Sequence, residues 1–554
     1  MSVVQELKDD LKTALNDAVV KSDKLELTEV PDIELEEPRE EEHGDYATNL
    51  AMVLSGQLNM APRQIAQLIV ERLDLDLLAE VEIAGPGFIN FYLNNSWLYR
   101  VIEVIKERGA DYGKTDLGAD KKVQIEFVSA NPTGPLHVGH SRGAVVGDVL
   151  ANIMSAAGFD ISREYYINDA GNQLEILGKS VAVRYQQLFG ADLSLPEDAY
   201  HGDYIEEIAE MIVAEAGDEH LAAAKEGEID YFREFAYQQM LENIKEDLNN
   251  FGIEFDNWFS ERSLHPDAIE RVIAELREKD LIYQADDALW FKSTEFGDDK
   301  DRVVKKSDGS YTYLAPDIAY HKDKYERGFE EAINVWGADH HGYIDRVQAV
   351  VEALGYGAEW LEVILVQLVN LLRDGETVAM SKRAGDFVTL RDVVDEVGLD
   401  AARYFYVMRD TDSHLDFDLE LAKEESKDNP VYYIQYAHAR ICSIEDQLAA
   451  EEYEMPPQDE VELNLLDENI ELDLIKKLAQ YPVEIAQSAE SREPHHIARY
   501  AYDLASLFHK FYNKCRVLGE DEKLSQARFA LVEATKQVLL NVLDILGISA
   551  PESM

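Results

Sequence analysis

The segment EFVSANPTGPLHVGH, residues 126–140, concentrates side chains that could do chemistry. His137 and His140 are separated by only two residues, and the segment opens with Glu126. Three interpretations are open: a metal site, a structural turn with packed or exposed histidines, or a site that holds an anion. Two histidines without a cysteine or a third histidine nearby are too few ligands for zinc, so no metal site is predicted.

The elements on either side of this segment favour the anion site. Residues 122–130 form an apolar, β-branched run typical of a buried parallel strand, and residues 161–169 form a second one. Between them, residues 141–158 have the pattern of a small-residue helix that ends at a glycine. Strand, loop, helix and strand in this order begin a doubly wound α/β sheet, which the strand-like runs 333–339 and 362–370 continue.

A loop between a parallel strand and the next helix is where such folds bind phosphate, because the first N–H groups of the helix point at the ligand. Gly134 and Gly139 would let the backbone approach a ligand closely. His137 and His140 could donate hydrogen bonds to phosphate oxygens. The motif G-x-x-x-x-G-K-[ST] is absent from the sequence, which excludes a P-loop NTPase.

The chain is predicted to have three domains. An α+β domain covers residues 1–112, a doubly wound, Rossmann-type domain covers 113–425, and an all-helical domain covers 426–554. A mostly helical insertion at about 170–285 interrupts the sheet of the second domain. The elements predicted for the outer domains are helices at 3–22, 46–57, 62–74 and 96–108, a β segment at 81–94, and helices at 430–449, 463–488, 493–516 and 521–547.

The composition is strongly acidic. Asp and Glu number 110 against 52 Lys and Arg, which gives a formal net charge of −58 over 554 residues. With 46% hydrophobic residues the chain can still build packed cores, so global disorder is excluded. The charge fits solubility in a salty cytoplasm or, alternatively, an acidic face for a basic partner around residues 34–42. Any nucleic-acid contact then requires a local basic or aromatic surface.

Cysteine content and hydropathy indicate the compartment. Cys442 and Cys515 are the only cysteines, too few for a disulfide framework or a zinc cluster, which fits a reducing cytosol. The first twenty residues have an acidic amphipathic helix pattern and not that of a signal peptide. No run approaches the roughly 18–20 apolar residues of a membrane span. A cytoplasmic location without a membrane partner is predicted.

Two short motifs carry a resemblance to a known family. HVGH at 137–140 resembles the HIGH signature of class I aminoacyl-tRNA synthetases, and AMSKR at 379–383 resembles their KMSKS signature. Three longer stretches are similar to arginyl-tRNA synthetases, namely YYINDAGNQ (165–173), VWGADHHGY (335–343) and YYIQYAHAR (432–440). The resemblance spans essentially the whole chain. It implies a class I catalytic domain, an N-terminal domain that contacts the tRNA D-loop, and a helical anticodon-binding domain.

The resemblance also implies a reaction and its partners. L-arginine is joined to its cognate tRNA through an arginyl-adenylate made from ATP, and pyrophosphate and AMP are released. ATP with Mg²⁺ is a substrate, and no tightly bound cofactor is expected. The arginyl group is expected on the 2′-OH of the terminal ribose, and the enzyme is expected to be a monomer.

The expected ATP site combines the two motifs. By the resemblance its residues are His137, Gly139, His140, Met380, Ser381 and Lys382, with His137, His140 and Lys382 as the catalytic set. The sequence departs from the family at Ala379, which stands where the KMSKS motif has its first lysine. One cation near the ATP phosphates is therefore missing, and Lys305, Lys306 or Arg383 could replace it.

The expected arginine pocket contains carboxylates, because a guanidinium has five donors and no acceptor. By the resemblance, Glu126 and Asp317 are its acidic pair. Asn131 binds the α-amino or carboxylate end of the substrate, and Tyr313 lines the side-chain channel. Without the resemblance, Glu126 in an apolar strand is a paired structural carboxylate. The remaining candidates, for which a structural role at strand ends stays open, are Gln367, Asp339 and His340.

A possible tRNA surface lies in the last domain. Tyr433, Tyr436 and Arg440 are spaced i, i+3 and i+7, so they share one helix face and could stack splayed anticodon bases. An aromatic stripe at this spacing is more often part of a core, and only the resemblance favours tRNA binding. The other expected tRNA contacts are Phe88 and Asn90 at the D-loop and Met554 packed beside the anticodon surface.

Two alternative functions stay open. A different class I synthetase is disfavoured, because the interval between the motifs is too short for a large editing domain and no zinc ligands support a cysteine enzyme. A catalytically inactive tRNA-binding relative is suggested only by Ala379. His137, His140 and Lys382 argue against it.

Overall fold

The computed structural model describes residues 2–554 except 23, 26, 28, 39, 379–387, 452, 454 and 520. Its architecture confirms the predicted combination of a small mixed unit, a parallel sheet covered by helices, and a helical C-terminal part. Among the described helices, none has both the length and the apolar character needed to cross a membrane.

The N-terminal unit packs helices on one three-stranded antiparallel sheet. Its elements are α1 (Val3–Val20), β1 (Tyr46–Thr48), α2 (Leu50–Leu58), α3 (Pro62–Val70), β2 (Leu78–Ala84), β3 (Phe88–Leu93) and α4 (Ser96–Arg108). The strand order is β1-β3-β2, so the predicted β segment at 81–94 is a hairpin. The predicted helix at 46–57 was wrong at its start. Tyr46 is aromatic and Thr48 is β-branched, and both types favour strands. Residues 46–48 therefore pair with β3 as a buried strand before α2 begins.

The central part contains a five-stranded parallel sheet. Its elements are β4 (Lys122–Glu126), α5 (Val138–Ala156), β5 (Asp160–Ile167), α6 (Asn172–Leu188), α7 (Asp203–Ala216), α8 (Leu221–Glu226), α9 (Asp230–Asn250), β6 (Asn257–Ser260), α10 (Asp267–Glu278), β7 (Ile282–Ala285), β8 (Ala288–Phe291), β9 (Arg302–Lys305), α11 (Leu314–Glu326), β10 (Glu331–Gly337), α12 (Ile344–Leu354) and β11 (Leu361–Val366). The strand order is β11-β10-β4-β5-β6. Strands β5 and β6 are added on one side of β4, and β10 and β11 are added later on its other side. The carboxyl end of β4 is therefore the switch point where open α/β sheets bind ligands.

The predicted insertion at 170–285 was too long. Strand β6 pairs in parallel with β5, so the central sheet resumes at Asn257 and the helices that interrupt it are α6 to α9. The four-residue strand NWFS has too little periodicity to be separated from its helical surroundings in the sequence. Strands β7, β8 and β9 form a separate antiparallel sheet.

The predicted strand at 362–370 is two strands in different sheets. The chain breaks at Gln367, whose N–H donates to the carbonyl of Thr411 at 2.9 Å instead of continuing the ladder. A second small sheet with the order β13-β12-β14 follows. Its elements and their neighbours are β12 (Val369–Arg373), β13 (Glu376–Thr377), α13 (Leu390–Val397), α14 (Leu399–Val407), β14 (Leu415–Asp418) and α15 (Leu419–Lys423).

The C-terminal part contains four long helices in the described residues, as the sequence predicts: α16 (Pro430–Ala450), α17 (Asn469–Ser491), α18 (His495–Lys514) and α19 (Glu522–Leu546). Helix α17 begins later than predicted, because residues 463–465 form a short 3₁₀ turn. One apolar core includes Leu98 of α4, Val149 of α5, Leu478 of α17 and Leu539 of α19. The predicted boundaries at 112 and 425 therefore fall within a continuously packed molecule and stay predictions.

Candidate active site

The first motif forms the beginning of α5. His137 is the N-cap residue, and its Nδ1 accepts a hydrogen bond from the N–H of Gly139 at 3.1 Å. The N–H of His137 donates to Nδ1 of His140 at 3.3 Å, which completes a reciprocal capping box. The two rings stack with centroids 3.9 Å apart. Because both Nδ1 atoms accept, the neutral rings carry their protons on Nε2, so each ring can donate through that atom.

Gly139 is required for this geometry. A Cβ at that position would lie 2.9 Å from Cε1 of His137, closer than side chains tolerate. The residue is exposed at the first turn of α5, where helix N–H groups favour anions. The loop is also supported from the insertion, since the hydroxyl of Tyr204 donates to the carbonyl of Thr133 at 2.9 Å.

Residues 388–390, which lie beyond the second motif, are hydrogen-bonded to the first motif and to the residue before it. The N–H of Val138 donates to the carbonyl of Val388 at 3.2 Å, and the N–H of Leu390 donates to the carbonyl of Leu136 at 2.9 Å. Thr389 caps α13 through a capping box with Asp392. The predicted residues Ala379, Met380, Ser381, Lys382 and Arg383 lie outside the described residues, but the chain that follows them is held against HVGH.

Glu126 ends β4 and is 7% exposed. Its Oε2 accepts a hydrogen bond from Nζ of Lys324 at 2.7 Å, and its Oε1 accepts one from Oγ of Ser129 at 2.9 Å. Lys324 itself is fully buried. Glu126 is therefore an oriented carboxylate at the ligand-binding edge of the sheet, as both the structural and the substrate-binding interpretations require.

Asp317 lies in the first turn of α11 and accepts a hydrogen bond from the hydroxyl of Tyr343. Burial raises the pKa of Asp317 to about 7, with smaller increases from the negative charges of Glu261 and Glu126. These charge effects show that the three carboxylates are near one another. A group of negative charges in a partly buried site favours a cationic ligand.

Glu261 is the carboxylate that the sequence analysis missed. It follows β6, is 5% exposed, and its Oε1 lies 3.2 Å from Nε2 of His265. Burial raises the pKa of Glu261. Burial, and then the negative charges of Glu261, Asp317 and Glu126, raise the pKa of Tyr166, so its hydroxyl lies among the same carboxylates. Recognising NWFS as a sheet strand would have placed Glu261 at the same edge as Glu126.

Four of the other predicted pocket residues follow strands of the central sheet, and the fifth, Tyr313, precedes α11. Asn131 is half-buried in the loop after β4, and Tyr313 is 62% exposed. Gln367 follows β11, and its carbonyl accepts a hydrogen bond from Arg142 of α5 at 3.0 Å. Asp339 and His340 follow β10 and are exposed, as expected for residues at strand ends. These roles stay predictions.

The candidates for the missing cation lie on the small antiparallel sheet. Lys305 ends β9, and its Nζ lies 4.9 Å from the ring centroid of Tyr311. Lys306 is exposed in the turn that follows. Tyr311 in turn lies beside His265, with ring centroids 6.1 Å apart. Lys305, Tyr311 and His265 therefore form a row of side chains that runs from this sheet to the carboxylate of Glu261.

The predicted anticodon residues form a surface between α16 and α18. The rings of Tyr433 and Tyr436 lie 4.4 Å and 5.8 Å from that of His509, centroid to centroid. The guanidinium of Arg440 lies 4.4 Å from the ring centroid of Tyr436 and 4.9 Å from that of Tyr512, which is 40% exposed. The aromatic stripe is therefore partly packed and partly presented to solvent, and it has a cation at its edge.

The remaining predicted tRNA contacts differ in their exposure to solvent. Asn90 is 3% exposed within β3, whereas Phe88 at the start of that strand is half-buried. Met554 is 48% exposed. The tail before it is held on α16 by His438, whose Nδ1 lies 2.9 Å from the carbonyl oxygen of Pro551. At 100° per residue, His438 faces away from the aromatic surface, so the tail is held on the opposite side of α16.

Comparisons with known proteins agree with this geometry. Residues 5–93 match the arginyl-tRNA synthetase N-terminal domain, residues 102–427 match the class I (R) tRNA synthetase catalytic domain, and residues 434–554 match the DALR anticodon-binding domain. Arginine–tRNA ligases from Bacillus licheniformis and Bacillus subtilis are each 50% identical to this chain over 558 residues, and both chains of each pair are covered completely. The chain belongs to the arginyl-tRNA synthetase family.

Solved structures of the arginyl-tRNA synthetase family share the fold. A Campylobacter jejuni structure is 37% identical with a TM-score of 0.77, and the match covers 83% of this chain and all of the other. Thermus thermophilus arginyl-tRNA synthetase matches with a TM-score of 0.72 and covers 99% of this chain and all of the other. At 23% identity the second likeness concerns the fold alone.

Proposed function

We propose that this chain joins L-arginine to the 2′-OH of the terminal ribose of tRNA(Arg), through an arginyl-adenylate formed from ATP at the carboxyl end of β4. Arginine–tRNA ligation follows from membership of the family. The proposal concerns which residues perform each step. The observation that carries it is the meeting of the HVGH turn, the chain after the second motif, and the carboxylates at one edge of the sheet.

Glu126 and Asp317 bind the guanidinium of arginine in this proposal. Both lie at the ligand-binding edge, and their shared negative charge matches a planar cation that has donors and no acceptor. Asn131 and Gln367 are proposed at the α-amino and carboxylate end, and Tyr313 along the side chain. Bound in this way, the arginine carboxylate is held for attack on the α-phosphate of ATP.

ATP, as its magnesium complex, is proposed to lie over the beginning of α5. His137 and His140 donate through Nε2, and Gly139 leaves space at the first turn. Lys382, with Met380 and Ser381 beside it, supplies the charge that stabilises the leaving pyrophosphate. Lys305, Lys306 or Arg383 is proposed to replace the cation missing at Ala379.

The tRNA is proposed to bind along the two outer parts of the chain. Tyr433, Tyr436 and Arg440 receive anticodon bases, since their partly exposed rings and cation are the kind of surface that stacks single-stranded bases. Phe88 and Asn90 are proposed near the D-loop. A position of Met554 near the anticodon stays a prediction, since Pro551 is held on the opposite side of α16. A cytoplasmic monomer remains our prediction for location and assembly.

The direct test is ATP–pyrophosphate exchange by the full-length chain, with and without tRNA, using arginine or citrulline. Citrulline has the shape of arginine but a neutral end group. We expect exchange with arginine only, and a KM for arginine about 10- to 100-fold higher in Glu126→Gln, because a hydrogen bond to a charged group contributes about 1.5–3 kcal/mol. Equal use of citrulline, or an unchanged KM in Glu126→Gln, would contradict the proposed pocket.

A further inference from the structure

Lys324 is a lysine with no exposed surface, in the middle of α11. Its ammonium donates to Glu126 at 2.7 Å and to Oδ1 of Asn334 at 2.8 Å, and it lies 4.4 Å from the ring centroid of Tyr320. Burial of an ammonium is costly even when it is paired, and apolar residues often fill such a position without loss of stability. None of the roles assigned above uses this charge.

The contacts of Lys324 continue to the second carboxylate of the pocket. Nδ1 of His321 lies 2.8 Å from the carbonyl oxygen of Asp317, so this nitrogen carries the proton, because a carbonyl can only accept. Nε2 of His321 then accepts from Nδ2 of Asn334 at 3.3 Å. Burial, and secondarily the charge of Lys324, lowers the pKa of His321 to about 3, so the ring is neutral at physiological pH.

An unbroken hydrogen-bonded chain therefore runs from the turn of α11 that carries Asp317 to the end of β4 that carries Glu126. Its members, in order, are Asp317, His321, Asn334, Lys324, Glu126 and Ser129. Every link is donor to acceptor, and the chain crosses from a helix to two neighbouring strands. It connects the Glu126 carboxylate to the backbone of the α11 turn that carries Asp317.

We propose that Lys324 is a positioning residue for the arginine pocket, which fixes the Glu126 carboxylate directly and the Asp317 turn through Asn334 and His321. This inference rests on the proposed function, since it assumes that these carboxylates hold the guanidinium. A carboxylate has about four lone-pair sites. Lys324 and Ser129 each occupy one on a different oxygen, so the remaining lone pairs have a fixed direction before the substrate arrives.

The test is Lys324→Met in the full-length chain, assayed by arginine-dependent ATP–pyrophosphate exchange in the presence of tRNA. We expect the KM for arginine to rise at least tenfold and kcat to stay within threefold, because the pocket loses its preset geometry while the ATP site is untouched. Lys322→Met is the matched control on the same helix. Its ammonium pairs with Glu275 and Glu326 away from the pocket, so its KM should equal that of the parent.

A double variant keeps the test decisive if Lys324→Met does not fold, since Glu126→Gln with Lys324→Met buries no unpaired charge at this site. Lys324 acts mainly through its direct hydrogen bond to Glu126, because its link to the Asp317 turn passes through two further side chains, so the double variant should have the KM of Glu126→Gln alone within threefold. A further rise beyond threefold, or an unchanged KM in a folded Lys324→Met, would overturn the inference. An unchanged KM in Glu126→Gln alone would instead overturn the proposed pocket, so the two failures are distinguishable.

Discussion

A hydrogen bond of 3.2 Å from the N–H of Val138 to the carbonyl of Val388 joins the beginning of α5 to the chain that follows residues 379–387. The isolated bridge between His137 and Thr389 belongs to the same contact. The chain that follows residues 379–387 therefore lies against the first motif.

Lys382→Ala tests this relationship. We expect the rate of adenylate formation to fall by at least about 100-fold, because removing a group that stabilises developing charge typically costs that much. Affinity for tRNA should change less than about twofold, as measured by filter binding. The control is Lys114→Ala, which removes an exposed lysine paired with Asp111. A large loss of tRNA binding in Lys382→Ala would mean that the segment is a nucleic-acid contact.

The pKa of about 7 at Asp317 predicts a pH dependence for arginine binding. The raised pKa keeps the carboxyl protonated below pH 7, and a guanidinium binds the ionised form. The KM for arginine should therefore fall as the pH rises from 6 to 7, by up to about tenfold per unit, and level off above pH 8. Asp317→Asn should have a higher KM that varies little over this range. A parent KM that is flat between pH 6 and 8 would contradict this assignment.

The aromatic surface of α16 and α18 predicts a specific loss of tRNA affinity. Base–aromatic stacking contributes about 1–3 kcal/mol per base, so Tyr436→Ala should weaken tRNA binding by about 5- to 100-fold. The KM for arginine should not change. Tyr325→Ala, which removes an exposed tyrosine of α11, is the matched control and should bind tRNA normally. Loss of thermal stability without loss of tRNA affinity would show that the stripe is only core.

Arg403 predicts a large stability effect away from the chemistry. It is fully buried, and it donates to Asp148 of α5 at 2.5 Å and to the carbonyls of Phe251 and Leu546 at the ends of α9 and α19. Arg403→Met removes the hydrogen-bonded partner of the buried Asp148 and leaves it only a longer ion pair with Arg163 at 3.6 Å, and breaking a buried pair costs about 3–5 kcal/mol. We expect a marked fall in thermal unfolding temperature. Arg373→Met, at a surface pair with Glu396, should have little effect.

The net charge of −58 predicts a response to salt. Salt screens repulsion among surface carboxylates, so thermal stability should increase between 0.1 and about 1 M KCl. If the acidic surface reflects a salty cytoplasm, aminoacylation should persist above about 1 M KCl, although salt normally weakens phosphate contacts. Loss of activity at that salt concentration, with the fold retained, would contradict this explanation of the charge.

The sequence alone determined the features that depend on local pattern. Hydrophobic periodicity, with glycine and proline at the ends of elements, predicts the buried strand before HVGH, the helix after it and the four C-terminal helices. The structure contains all of them. Glycine and histidine in the first motif likewise predicted an anion site, because the chemistry of a helix start is local. The residues of the sequence motifs were sufficient to indicate the family.

Tertiary structure decided what depends on contacts between distant segments. Strand β6 could be assigned only by its pairing with β5, and Glu261 therefore escaped notice. The role of Lys324 is also invisible in the sequence, where it is one of the two lysines of α11. Burial of its charge, and hence its pairing with Glu126, arises only when α11 packs against β4 and β10. Periodicity predicts which face of an element is apolar, but not which buried charges meet across the interface.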